Sequence, residues 1–94
     1  MKQKKNYIYL IGICGWDHLE ITSAHKSYKG AMKAWNKIRL NFLKETKEFL
    51  KLENSKINKD FYKRGIKDLS CKEPEKMHNH AGDQPYMQKI ELQD

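Results

Sequence analysis

The residues best placed to do chemistry in this chain are lysines. Lys29, Lys33, Lys37, Lys44, Lys47 and Lys51 follow one another at steps of three, four or seven, and on a helix such steps return to one side, here within about 80° of the circumference. Lys26 continues the row toward its start, no acid interrupts it, and Leu40 is the one apolar residue inside it. Solvated surfaces usually mix charges of both signs. A row of ammonium groups suits a phosphate backbone, which it can bind without reading the base sequence. From Lys26 to Lys67 there are thirteen Lys or Arg against Glu45, Glu48, Glu53 and Asp60, a balance of +9 in a chain whose total is +7. The excess belongs to this span and points to polyanionic partners.

Other chemistries are weaker. Cys71, His78 and His80, or Cys14 with His18, suggest a mixed zinc site, but their spacing does not match structural ligand pairs, and no metal is expected. Cys14 has no base beside it in sequence and reads as a small core residue rather than a nucleophile. No glycine-rich phosphate loop, nucleophile elbow or pair of carboxylates in an apolar setting is present. The expectation is a protein that is not an enzyme and needs no cofactor. Aromatic residues offer a second contact surface. Tyr7 and Tyr9 point to one side of a strand, where they could stack bases or meet a partner, and Trp16 in a turn could anchor one.

These groups need elements to hold them. Ser27 to Glu53 reads as one long amphipathic helix capped by Ser27. Ala31, Trp35, Ile38, Phe42, Phe49 and Leu52 form its apolar face, with Met32, Leu43 and Leu50 at the margin and Arg39 at the edge, its stem on the apolar surface and its head in water. Asn6 to Cys14 is dense in β-branched and aromatic residues and reads as a central strand. Gly15, Trp16 and Asp17 then turn into an edge strand, His18 to His25, with Leu19 and Ile21 inward. The long helix is expected on the Ile8 and Leu10 face, leaving Tyr7 and Tyr9 open. Ser55 begins a second helix that Gly65 ends, and this helix should cover Phe49, Leu50 and Leu52. Asp68 to Pro85 reads as an irregular connection. Tyr86 to Gln93 returns as a third strand beside the first, with Tyr86, Ile90 and Leu92 on one face.

The fold class is therefore α+β, a three-stranded antiparallel sheet in the order β-β-α-α-β packed on one long amphipathic helix, within a single domain covering 94 residues. No apolar run reaches the length of a membrane span and no secretory signal is recognisable, so a cytoplasmic protein with free thiols is expected. A helix of this length overhangs so small a body, and two copies could pair through its end.

The strand YLIGICG, the helix opening Ser-Tyr-Lys-Gly-Ala-Met-Lys-Ala-Trp and the terminal Pro-Tyr-Met-Gln-Lys-Ile-Glu-Leu together resemble small uncharacterised proteins of phages and mobile elements over most of the chain. The lysine-rich helix extension and the Cys/His loop depart from that plan, and no activity follows from it. What the resemblance implies is a setting: the cytoplasm of a host cell, where a non-enzymatic inhibitor docks on a host-defence nucleoprotein machine of the CRISPR type. The alternative is a free-standing accessory protein that binds DNA or RNA.

Overall fold

The computed structural model describes residues 6–77 and 82–92. Three strands, β1 (Asn6–Cys14), β2 (Leu19–His25) and β3 (Gln84–Leu92), enclose in sequence two helices, α1 (Tyr28–Leu52) and α2 (Lys56–Leu69), with a 3₁₀ turn at Pro74–Lys76 ahead of β3. The sheet is antiparallel in the order β2-β1-β3. The strand richest in apolar residues thus takes the centre, where neighbours shield it on both sides.

Gly12 sets the fit between β1 and β2. The register shifts at Ile11/Gly12, where Ser23 opposes Ile11 and Ile21 opposes Gly12, so Thr22 is an extra residue in β2. Its hydroxyl donates to the Ile11 carbonyl at 3.1 Å. The resulting bulge brings the β2 backbone so close that a methyl group at Gly12 would collide with the Glu20 carbonyl oxygen. Gly12→Ala is therefore expected to destabilise the protein by about 1–3 kcal/mol. A shift of the urea midpoint at unchanged slope measures it; an unchanged midpoint would show that the bulge is not needed.

The helix lies on the other side of the sheet from the one expected. Ile11, Ala31 and Trp35 form the buried centre, with Tyr9, Met32, Ala34, Ile38, Met77 and Met87 packed around them. Tyr9 also meets Tyr28 edge to face, their ring centroids 5.6 Å apart. The covered face is that of Tyr7, Tyr9, Ile11 and Ile13, together with their cross-strand partners Met87 and Lys89. Ile8 and Leu10 point away. So do Leu19 and Ile21, which pair with Cys14 and Gly12 and remain exposed rather than facing inward. The physical reason is bulk. The Ile8 side of β1 contains Gly12, which offers a helix nothing to pack on, whereas the other side offers Tyr9 and Ile11 with Met87 beside them.

Ser27 caps α1, its hydroxyl accepting from the Gly30 amide at 3.1 Å. The first half of the helix, from Tyr28 to Ile38, covers the sheet. The second half leaves it and pairs with α2 instead. Phe49 stacks on Tyr62 at 5.9 Å, and Phe42, Thr46 and Phe49 face Phe61, Tyr62 and Gly65 across a shallow groove. The protein is accordingly 62 Å long but only 24 × 20 Å across. The cover expected from the second helix is partial, since Phe49 is 54% exposed and Leu52 81%.

α2 runs past Gly65 to Leu69, which corrects the expected stop. Among the described residues no glycine has positive φ, so the left-handed conformation that would end a helix is not adopted. Burial of Gly65 against α1 and of Leu69 beyond it outweighs the local stop signal. Its start is capped indirectly. The Ser55 side chain makes no cap bond; the Glu53 carboxylate accepts from the Asn54 and Ser55 amides at 3.1 and 3.0 Å. The Ser55 amide is the main reason that this carboxyl is held below its ordinary value.

Candidate binding arm and the end of the sheet

The lysine row is positioned by the same period that buries Trp35. Ala31 and Trp35 turn toward the sheet, so residues half a turn away face solvent, and Lys29, Lys33, Lys37, Lys44, Lys47 and Lys51 are all exposed. Leu40 is exposed among them. Among the described residues, no ion pair involves any of the six, and the one lysine in such a pair is Lys76, with Glu73 at 2.9 Å. Within the described part of the chain their charge is therefore not taken up by a direct ion pair. Lys44, Lys47 and Lys51 stand on the projecting half, to which α2 adds Lys56, Lys59 and Lys63. The tip between the two helices exposes Leu52 and Ile57. The arm thus combines a cationic side with an exposed apolar end.

Arg39 is not at the water surface. It is 6% exposed, donating Nη1 to the Leu69 carbonyl at 2.9 Å and Nε to Asn36 Oδ1 at 3.1 Å. Its guanidinium also lies 5.8 Å from the centre of the Trp35 ring. A cation there meets the negative end of α2 and ties the arm to the body. The sequence shows an Arg at the margin of an apolar face but not the carbonyl thirty residues on that it serves.

Tyr7 and Tyr9 do not form an open stacking platform. They lie on the helix side of the sheet, and the Lys89 ammonium sits 3.9 Å above the Tyr7 ring and 6.0 Å from that of Tyr9. That cation occupies one face of the Tyr7 ring. Trp16 is different. It is 92% exposed in the β1–β2 turn, well placed to be an anchor.

Around this turn, residues from both ends of the chain meet. β3 brings Asp83 to His18, whose Nε2 lies 3.3 Å from Asp83 Oδ1 while Nδ1 lies 3.3 Å from Asp17 Oδ1. Asp83 was not legible as a partner, because only the pairing of Cys14 with Gln84 carries it there. The turn borders a cleft of about 530 Å³ that also reaches Cys14, Trp35 and Met77. Burial, more than its hydrogen bond with Gln84, sets the Cys14 thiol, and its value is pushed up. The thiol is protonated at neutral pH, the form that does not attack. Cys14 and Cys71 are both free. Among the described residues no three His, Cys, Asp or Glu side chains are grouped to hold a metal; His78 and His80 of the zinc site considered above lie outside the described residues.

Fold and surface together define a small α+β protein that carries a basic helical arm. Comparison with known proteins adds no relative: no family model, curated protein or solved structure matches this chain. No helix among the described residues is long and apolar enough to cross a membrane.

Proposed function

We propose that this protein is a non-enzymatic binder that docks on a polyanionic or nucleoprotein partner through the lysine side of its helical arm. In the form that the phage-protein resemblance suggests, it is a phage- or mobile-element-encoded inhibitor of a host-defence machine of the CRISPR type. What supports the reading is the row from Lys29 to Lys51, exposed along its whole length and, among the described residues, without an intramolecular carboxylate partner. Ammonium groups held on one rigid helix gain from binding phosphates mainly by releasing counterions, and the backbone that carries them is already ordered before they bind.

The test is retention on immobilised heparin or phosphocellulose. Exchanging Lys33, Lys37 and Lys44 together for Glu changes the local charge by six and is expected to abolish retention at moderate salt. The wild-type affinity for a nucleic-acid duplex should fall with a log–log salt slope of about −0.9 per phosphate engaged. Unchanged elution of the triple variant would end the proposal. Pull-downs from host lysate with and without nuclease then separate the two partners. Capture that survives nuclease points to the inhibitor. Capture lost with nuclease points to a free-standing DNA- or RNA-binding accessory protein.

A further inference from the structure

The lysine arm leaves a second apolar surface of the molecule unused: Leu19, Ile21, Ile90 and Leu92 are all exposed on the sheet. α1 covers one face of the sheet and the 3₁₀ turn lies on the same side, where Pro74 and Glu75 border Tyr9, Tyr28 and Met87. α2 packs on α1. Among the described residues nothing covers the face to which Ile8, Leu10, Ile21, Ile90 and Leu92 point, in the register where Ile8 opposes Ile90 and Gly12 opposes Ile21. In a chain that is 33% charged, not one of the described strand positions on this face is Lys, Arg, His, Asp or Glu, and Lys26 stands just beyond the end of β2 at its rim. Glu20, His25, Lys89 and Glu91 all fall on the other side, opposite Ile13, Tyr9, Tyr9 and Tyr7. The residues of this sequence outside the described set, 1–5, 78–81 and 93–94, contribute only Met1 and Ala81 as apolar cover.

The geometry points to a second copy of this chain as the occupant, packed sheet face on sheet face about a two-fold axis. Charge selects it. Each copy carries +7, so two copies repel wherever their lysines approach, and this uncharged face is where they need not. With layers about 10 Å apart, face-to-face packing holds the two α1 helices outermost, roughly 30 Å from each other, several times the Debye length of about 8 Å at physiological salt. A polyanion or an anionic lipid surface finds no cation among the described strand positions of this face to bind. Edge-to-edge pairing is blunted by the bulge at Thr22 in β2 and by Pro85 and Lys89 in β3.

Three strands of up to nine residues give a footprint of roughly 14 × 30 Å. With side-chain relief, two such faces bury about 1,000 Å² in total, the lower end for a specific interface. The dimer is reversible, forming over micromolar to millimolar concentrations. It presents two lysine arms outward, so a long polyanion is held at two points.

Sedimentation equilibrium from micromolar concentration to about 1 mM tests this; a self-association weaker than that is worth under about 4 kcal/mol and is not a specific pair. The mass should climb from one chain toward two. Ile21 and Ile90 are 43% and 37% exposed in a single copy, so Ile21→Lys with Ile90→Lys should leave the fold intact and weaken the dimer at least about 100-fold, since both charges are buried unpaired in the pair. Dilution of the wild-type protein read by methyl NMR needs no variant. Shifts at Ile8, Leu10 and Ile90 with none at Leu52 or Ile57 support the face. A protein that stays monomeric to 1 mM overturns it, as does a dimer broken by Leu52→Lys with Ile57→Lys but not by the sheet variant. The Lys33, Lys37 and Lys44 variant leaves the dimer unchanged, so failure of polyanion binding and failure of self-association are separate results.

Discussion

Trp35→Ala is expected to lower the stability of this protein by roughly 3–5 kcal/mol, the range for a fully buried large aromatic. Trp35 is the largest fully buried side chain, and Ile11, Ala31, Met87 and Ile38 all pack around it. It is the point at which α1 grips the sheet. A domain of this size has on the order of 5–14 kcal/mol in all, and so few side chains are fully buried here that the lower part of that range applies. The substitution therefore removes about half of the stability, and the melting temperature should fall by at least about 12 °C. Trp16→Ala is the control, because a residue 92% exposed contributes almost nothing to folding. Emission identifies the two. Trp16→Ala should leave a blue-shifted, poorly quenched spectrum from Trp35, while Trp35→Ala should leave a red-shifted one. A loss below about 1 kcal/mol for Trp35→Ala would mean that α1 is not seated on the sheet through this ring.

What the sequence made legible follows from where its information lies. A 25-residue helix repeats its period seven times, so Ala31, Trp35 and Ile38 announce one side and the lysines the other, and the structure keeps both. β1 is apolar at every position but its first, which makes it central. The same property hides which face the helix takes. Tyr7, Tyr9 and Ile11 compete with Ile8, Leu10 and Cys14 on nearly equal terms, and the gap that Gly12 leaves on the second side tips the balance, a gap whose purpose shows only once β2 has closed on it. The Gly65 stop failed for a related reason. A local preference of about 1 kcal/mol yields to the burial of Leu69, whose partner Arg39 lies on another helix. The lysine arm was therefore readable as a stripe but not as a projection. The sheet face was misjudged because a doubly apolar strand suggests two covers, and the described residues supply one.

Arg39 holds the arm to the body, and the arm's geometry depends on it. Its guanidinium is buried with no carboxylate in ion-pairing reach among the described residues; what it meets is the Leu69 carbonyl in the last turn of α2, where the helix dipole places partial negative charge. Arg39→Ala leaves that carbonyl without its donor in a buried position and opens space beside Trp35. Together these are expected to cost roughly 2–4 kcal/mol. The loss should be local as well as global. Amides from Lys63 to Leu69 should exchange faster than those of β1, because α2 is released from α1 before the sheet opens. Two further variants separate the causes. Arg39→Met keeps the stem and its contact with Trp35 but not the donors, so stability equal to the wild type would eliminate the capping role. Arg39→Lys keeps the charge, yet one ammonium on a flexible stem cannot reproduce the fork that reaches Leu69 and Asn36 together, so it should recover no more than about half of the loss. If α2 is loosened in this way while the lysines of α1 keep their row, polyanion retention should weaken rather than vanish, since Lys56, Lys59 and Lys63 of α2 then no longer stand fixed beside that row.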